Sequence, residues 1–324
     1  MPLRSVPPPS SPMDSKLNLH LGIGSDAKIT RHPEFYFADG SVVLIVEKVA
    51  FRVHQSVLSR HSEVFKGMWD MPQPPEAEVY DGCPAVVLLD SVRDFEDVMT
   101  VLYDSFYFDK LKPDSGLSNL ITFISGILRI STKYSMVQLR NKCINIIQEK
   151  FPSTLAGCDA VLSKHTQYIP SEIVRIIPLA RETNVPKVLP WAFYLCCHIE
   201  VDELMVNTAL SWSDKALCLA GKEHLWKVQK TVSHSFMFEF KQAPGCANSC
   251  IRAVPQIGWQ DCETLRRSPH PLEEYPDWNS LRVCVKCREH IKAQHREGRE
   301  KVWQMLPGFF GLGTWEDICN DQNC

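Results

Sequence analysis

Four cysteines in the last third of the chain have spacings typical of metal ligands. Cys284 and Cys287 are separated by two residues, and Cys246 and Cys250 by three. Zn²⁺ prefers a tetrahedron of ligands, and two cysteines on one tight turn supply half of it. The two pairs together predict a structural zinc site. Because four protein ligands leave no open position for water or substrate, such a site would not be catalytic.

Three alternatives to this ligand set stay open. Cys262 lies between the pairs and could replace one of the four cysteines, and His290 could do the same from three residues after Cys287. The cysteines could also be small apolar side chains of an ordinary core. The segment that joins the pairs is rich in proline and is expected to bury little surface of its own. A metal staple is therefore the favoured interpretation.

Length and charge predict an ordinary globular chain. It has 324 residues, long enough for two domains, and a net charge of −3 from 35 basic and 38 acidic residues. This near balance argues against long-range attraction to nucleic acid or to an anionic membrane. No apolar run reaches the roughly 18 residues that a membrane span needs. Neither a membrane nor a nucleic acid is expected as a partner.

The first residues and the cysteine count indicate a reducing compartment. Residues 1–27 are rich in Pro and Ser, predict a disordered arm and lack the apolar segment of a secretion signal. The chain is therefore expected in the cytoplasm or the nucleus, where thiols stay reduced. The sequence contains 13 cysteines, and this odd number argues against complete disulfide pairing. We expect thiols or metal ligands.

The predicted strands all lie in the first ninety residues. Residues 42–46 and 50–53 are short runs rich in Val, Ile and Phe, and the three residues between them favour a β-hairpin. The run AVVLLD at 85–90 predicts a third strand. Helical elements surround these strands in the sequence, which indicates an α+β arrangement with a small sheet flanked by helices.

Apolar spacing predicts helices through the rest of the chain. Two short helices follow the hairpin, with Ser56 and Ser62 as candidate N-caps, and another begins near Ser91 or Asp94. Two long helices fill 118–151, with a break at KYSM. Further helices are predicted near residues 158–164, 170–183, 187–199, 203–220, 222–240 and 285–305.

These patterns divide the chain into four parts. We expect a disordered arm at 1–27, an α+β domain at 28–152, a helical region at 153–240 and a cysteine-containing region at 241–324. The predicted fold is thus a small sheet flanked by helices, followed by a mostly α-helical C-terminal region with a zinc-stapled loop.

Ordered motifs between residues 30 and 152 resemble a BTB/POZ domain. The stretch DGSVVLIVEKVAFRVHQSVLSRHSEVFKGMW at 39–69 is similar to the start of that domain. Downstream, FEDVMTVLY at 95–103 resembles a helix of the family, and ILRISTKYSMVQLRNKC at 127–143 resembles its helical pair. The overall style resembles the BTB proteins that are numerous in mushroom-forming fungi. The matching positions of the first stretch are Val42, Leu44, Val46, Phe51, Val53, His54, Val57, Leu58, Ser62, Phe65 and Met68.

The resemblance implies a protein–protein interaction module. Many BTB domains dimerise, and some recruit cullin-type ubiquitin ligase scaffolds or corepressors. The expected partners are a second copy, a related BTB chain or a cullin scaffold, for which this chain would be a substrate adaptor. The alternative function is a transcriptional regulator that uses the C-terminal cysteine region.

Candidate interaction residues follow from the same resemblance. In zinc-finger transcription factors of the family, an acidic residue before the first strand and an arginine after the histidine form a charged groove. Ser41 and Gln55 occupy these places here, with Asp39 nearby. Aromatic residues just before the hairpin could bind a partner or pack on the domain's own core. The candidate set is Phe35, Tyr36, Phe37, Asp39 and Gln55.

The sequence contains no recognisable catalytic set. His54 follows a predicted strand, but no nucleophile or carboxylate constellation surrounds it, so we expect a buried histidine bonded to the backbone. No phosphate-binding loop of the Gly-Lys-Ser/Thr type is present. We therefore expect no enzymatic activity.

Overall fold

A computed structural model describes residues 28–72, 78–112, 115–164, 168–247, 250 and 265–321. The chain forms two compact units, Met1–Ile144 and Asn145–Cys324. The predicted disordered arm at 1–27 lies outside the described residues. Among the residues described, no helix is both long and apolar enough to cross a membrane.

The first unit is built on a five-stranded sheet with the strand order β1-β3-β2-β5-β4. The strands are β1 (Thr30–Tyr36), β2 (Val42–Val46), β3 (Val49–Val53), β4 (Val79–Tyr80) and β5 (Cys83–Leu88). All five residues of β2 are buried because this strand is central, which explains its unbroken apolar run.

The predicted hairpin is confirmed, with a tighter turn. Strands β2 and β3 pair antiparallel, from Val42 opposite Val53 to Val46 opposite Val49. Because β3 begins one residue earlier than predicted, only Glu47 and Lys48 form the turn. Glu47 adopts φ of 53° there. The third predicted strand is β5, which pairs parallel with β2.

The sequence patterns missed the edge strands β1 and β4. Strand β1 contains Pro33, which is tolerated at an edge but obscures a strand pattern. Its pairing with β3 is interrupted between Arg31 and Tyr36. The buried His32 ring supplies a hydrogen-bond acceptor for the backbone at this irregularity. Its Nδ1 accepts hydrogen bonds from the amides of Glu34 (3.1 Å) and Phe35 (3.0 Å).

Five α-helices follow in the described part of this region, and the last of them continues past Ile144 into the second unit. They are α1 (Gln55–His61), α2 (Glu63–Asp70), α3 (Val92–Tyr103), α4 (Leu117–Lys133) and α5 (Val137–Gln148). The predicted cap Ser62 is confirmed, since its side chain accepts the amide of Phe65. The next helix begins at Val92, close to the predicted start, and Ser91 is its N-cap. The prediction for Ser56 is wrong: α1 begins at Gln55, so Ser56 lies inside the helix and His54 is its N-cap. The break between α4 and α5 occurs at KYSM, as predicted.

The second unit is helical, as its sequence predicts. Its helices are α6 (Leu155–Ser163), α7 (Pro170–Glu182), α8 (Leu189–Cys196), α9 (Val201–Val206), α10 (Trp212–Val228), α11 (Ser235–Phe238), α12 (Val285–Phe309) and α13 (Trp315–Asp321). A π-helical turn at Gln229–Ser233 joins α10 to α11.

The predicted division into helices at 203–220 and 222–240 is wrong. The chain breaks earlier, because Asn207 Oδ1 accepts the amide of Ala209 at 2.9 Å and Ser211 caps α10. Gly221 does not end a helix. It is buried inside α10, where a Cβ atom would lie 2.2 Å from Cε1 of Phe310. Gly221 is needed for close packing and not for a turn.

Candidate metal centre

The structure brings the four cysteines of the two pairs together. The sulfurs of Cys246, Cys250, Cys284 and Cys287 all lie within 4.8 Å of one another. Cys246 Sγ is 3.8 Å from Cys250 Sγ and 3.7 Å from Cys284 Sγ. Zinc–sulfur bonds of about 2.3 Å at tetrahedral angles place sulfurs about 3.8 Å apart. The spacing therefore fits a metal ion, and it is too long for the ~2.05 Å bond of a disulfide.

A tight turn presents the first cysteine. The amide of Cys246 donates to the carbonyl of Ala243 at 3.0 Å. Gly245 adopts φ of 70°, a left-handed conformation that glycine takes without strain. Lys286 Nζ then contacts the Gly245 carbonyl oxygen at 3.4 Å. The turn is thus tied to the helix that carries the second cysteine pair.

The second pair lies at the start of α12. Cys284 is the N-cap residue of this helix, and Cys287 is in its first turn. Amide groups also point at the sulfurs. The amide of Cys284 donates to Cys250 Sγ, and that of Ala243 to Cys287 Sγ, each at 3.3 Å. Amide donors and a helix N-terminus both stabilise thiolates over thiols.

The pKa values within the cluster diverge: that of Cys284 is lowered, whereas those of Cys250 and Cys287 are raised. The amide of Cys287 lowers the pKa of Cys284 to about 6, helped by the neighbouring sulfurs. Burial raises the pKa of Cys287 to about 12. The pKa of Cys250 is also raised: the amide of Cys284 lowers it, but burial and the adjacent sulfurs outweigh that effect. Four thiolates at this separation require a cation to ionise together.

The four cysteines lie against an apolar cluster, which shields one side of the metal centre from water. Cys250 and Cys287 are buried in it, while Cys246 and Cys284 are half-buried at its margin. The other buried members are Phe236, Ala243, Leu281, Val283 and Ile291. The centre is therefore integrated in the fold of the second unit.

The segment between the cysteine pairs buries more than the sequence suggested. Leu272 is fully buried, and Leu281 and Val283 are core residues. The buried Arg299 of α12 donates through Nε to the carbonyl of Leu272 at 2.8 Å and contacts Asp159 of α6. The expectation that this segment buries little surface of its own is thus wrong for residues 265–283.

A histidine of α12 gives this segment a second anchor. His295 Nδ1 donates to the carbonyl of Ser233 at 2.7 Å, and its Nε2 accepts the amide of Tyr275 at 3.2 Å. Sequence reasoning did not identify Arg299 or His295, because their partners lie far away in the chain.

The structure tests one of the two alternative ligands, His290, and not the other, Cys262. Within the described residues, His290 is not a member of the four-residue cluster. It is half-buried on α12. Cys262 lies outside the described residues.

The three aromatic candidates of the first unit differ in burial: Phe35 is in the core, whereas Tyr36 and Phe37 are partly exposed. Phe35 is buried and packs on His32 of its own domain, with ring centroids 5.1 Å apart. Tyr36 is half-buried and donates its hydroxyl to Asp81. Phe37 is half-buried, and its ring lies 4.8 Å from that of Tyr103.

His54 joins Phe37 and Tyr103 in a polar and aromatic group. Its amide donates to the Tyr103 hydroxyl at 3.2 Å, and its Nδ1 lies 3.0 Å from the same oxygen. Its Nε2 lies 3.4 Å from the exposed Asp39 carboxylate. The expectation that His54 bonds to the backbone is therefore wrong, since its ring contacts two side chains. Gln55 follows His54 in the chain, and its backbone amide donates a hydrogen bond to Ser41 Oγ at 3.0 Å. We call Phe37, Asp39, His54 and Tyr103 the His54 group.

Comparison with known proteins supports the family expected from the motifs. Residues 37–151 match the family model described as BTB/POZ domain. The match covers strands β2 to β5 and helices α1 to α5. No curated protein matches the chain. Residues 37–151 are therefore a BTB/POZ domain within this chain.

Proposed function

We propose that this chain is a non-catalytic adaptor whose BTB/POZ domain binds other proteins. The observation that carries the proposal is the family match over 37–151, which covers strands β2 to β5 and the five helices. The partner class that we favour is a cullin-type ubiquitin ligase scaffold, in the cytoplasm or the nucleus. We further propose that the adaptor domain spans 28–152, so that β1 belongs to it.

The His54 group supports this proposal as a contact surface. Phe37 offers a half-buried ring, and Asp39 offers a carboxylate that is 85% exposed on its side chain. Aromatic residues are enriched at protein interfaces, and an exposed charge beside them steers association with a partner of opposite charge. Gln55 lies next to His54 in the chain and extends the candidate surface. Phe35 contributes by packing beneath it.

Affinity capture from cells tests the partner class. The tagged full-length chain should retain a cullin scaffold, whereas Asp39→Lys combined with Phe37→Ala should lose it. Asp109→Lys is a matched control, because Asp109 is an exposed acid elsewhere in the same unit. Capture of chromatin proteins instead of a cullin would favour the transcriptional alternative. Retention of the same partners by the double variant would contradict the proposed surface.

We also propose that the BTB domain associates with a second copy or with a related BTB chain. Sedimentation of the purified full-length chain at tens of micromolar should show a dimer. A monomer at that concentration would contradict self-association, and a hetero-dimer with a captured BTB protein would identify the related chain.

For the second unit we propose a structural zinc ion bound by Cys246, Cys250, Cys284 and Cys287. The support is the mutual proximity of the four sulfurs, together with amide groups directed at them. An all-sulfur set suits zinc because thiolates are soft ligands. With four protein ligands the ion stabilises the fold and has no position for a substrate.

Metal analysis of the purified chain tests the zinc proposal. One zinc per chain is expected for a single site. Cys287→Ser should lose the metal, whereas Cys319→Ser should keep it, because Cys319 is an exposed cysteine of α13 outside the cluster. Purified chain that carries no zinc, even after incubation with it, would refute the site.

A further inference from the structure

The four cysteines of the metal centre differ in their access to solvent. Cys250 is 4% exposed and Cys287 is fully buried. Cys246 and Cys284 are only half-buried. A small oxidant in solution therefore reaches one cysteine of each pair, while the other cysteine of that pair is shielded from it.

The two accessible sulfurs are also neighbours. Cys246 Sγ lies 3.7 Å from Cys284 Sγ, although the residues are 38 positions apart in the chain. A disulfide bond is about 2.05 Å long, so these sulfurs need to approach by roughly 1.7 Å to form one.

We propose that Cys246 and Cys284 are a peroxide-reactive pair, and that their oxidation to a disulfide releases the metal. The inference rests on the zinc site proposed above and concerns its regulation. It makes the centre a reversible redox-sensitive element as well as a staple. The oxidant is a small peroxide such as hydrogen peroxide.

The chemistry proceeds in two balanced steps. One accessible thiolate attacks a peroxide oxygen, so an S–O bond forms, the O–O bond breaks, and hydroxide leaves to take a proton as water. The other thiolate attacks this sulfur, so the S–S bond forms, the S–O bond breaks, and a second hydroxide leaves as water. Two thiolates are oxidised by two electrons and one peroxide is reduced to two waters. Zn²⁺ then retains only Cys250 and Cys287 and dissociates.

The position of the disulfide makes the change reversible. It would join the turn at Gly245 to the start of α12, the same two segments that the metal holds together. The oxidised chain would therefore keep both segments in register without zinc. Reduction by a thiol would regenerate the four ligands close to their original places.

The experiment uses the full-length chain loaded with zinc and freed of reductant. Its zinc content is measured first, so that a failure of the metal site itself is recognised before any oxidant is added. A small excess of hydrogen peroxide follows, with released zinc read by a coloured chelator. Remaining thiols are then blocked, and disulfides are mapped by mass spectrometry.

We expect loss of about one zinc per chain, together with a peptide pair linked through Cys246 and Cys284. Dithiothreitol and added zinc should restore the metal content. Cys319 is an internal reference, because it is an exposed thiol outside the centre. Retention of zinc at a peroxide concentration that oxidises Cys319 would overturn the proposal. So would zinc release accompanied by a disulfide within either pair in place of the link between them.

Discussion

At the scale of single residues, Ser62 connects two parts of the BTB domain. Its Oγ accepts the amide of Phe65 at 3.0 Å and donates to the carbonyl of Tyr134 at 2.5 Å, while the residue is 1% exposed. Ser62→Ala would remove the cap of α2 and leave a buried carbonyl without this donor. We expect a loss of about 1–3 kcal/mol in unfolding free energy, measured by urea denaturation.

Ser56→Ala is the matched control for this variant. Ser56 is exposed within α1, and its sequence environment suggested a cap that the structure does not contain. Its removal should change the unfolding free energy by less than about 0.5 kcal/mol. Equal effects of the two substitutions would contradict the capping role of Ser62.

Asp97 of α3 is a half-buried carboxyl group whose ionised form is disfavoured. Burial raises its pKa to about 6, a shift that Asp94 and Glu96 increase and Arg93 opposes. A raised folded-state pKa means that the native chain binds a proton more tightly than the unfolded chain. Stability from this group is therefore present below about pH 4 and lost as the pH rises through about 6.

Asp97→Asn should therefore stabilise the first unit above this window. We expect about 1 kcal/mol at pH 7.5, reduced from the full shift because the carboxyl is only half-buried, and little difference at pH 4. Urea denaturation at both pH values measures it, with Asp109→Asn as the exposed control. A stabilisation that is the same at pH 4 and 7.5 would show that ionisation is not the cause.

At the scale of secondary structure, the sequence predicts elements that have a regular apolar period. Strand β2 is predicted from its unbroken run of Val, Leu and Ile, and helices α3 to α5 from apolar residues that repeat at helical spacing. Strand β1 was missed because its pairing depends on His32 bonding to nearby amides, which no apolar period reveals. The break before α10 was missed because polar side chains of Asn207 and Ser211 make it.

The π-helical turn at Gln229–Ser233 requires a close approach by α12. A Cβ atom on Gly298 would lie 2.6 Å from the carbonyl oxygen of Val232 and 2.8 Å from the Cα of Ser233. Both neighbours are backbone atoms, so they move only if the turn moves. Gly298→Ala should destabilise the second unit by about 1–3 kcal/mol, measured by thermal or urea unfolding.

Gly67→Ala provides the opposite outcome as a control. Gly67 lies inside α2, and nothing is within 4 Å of the place where its Cβ would stand. Alanine should therefore stabilise this helix by about 0.5–1 kcal/mol through its higher helix propensity. A stabilising effect of alanine at position 298 as well would show that the π-helical turn tolerates movement.

At the scale of the whole molecule, the candidate metal centre was found from local spacing, but its support was not. Two cysteine pairs are visible in the sequence because only three residues separate Cys246 from Cys250 and only two separate Cys284 from Cys287. Their meeting depends on α12, which carries one pair and, further along, His295 and Arg299. Those two side chains hold residues 272–275 through backbone groups, a relation that only the three-dimensional structure shows.

Within the second unit, the metal site and the side chains of His295 and Arg299 hold different segments, and this difference predicts the effect of zinc removal. A chelator should loosen the segments that carry the cysteine pairs, residues 241–247 and 281–287, because the energy of metal binding there is also folding energy. Residues 272–275 should stay ordered, since Arg299 and His295 hold them without metal. Hydrogen exchange measured by mass spectrometry should thus accelerate in the two cysteine segments and stay unchanged in β2 of the first unit. Exchange that accelerates equally across 265–287 would show instead that the metal organises the whole segment.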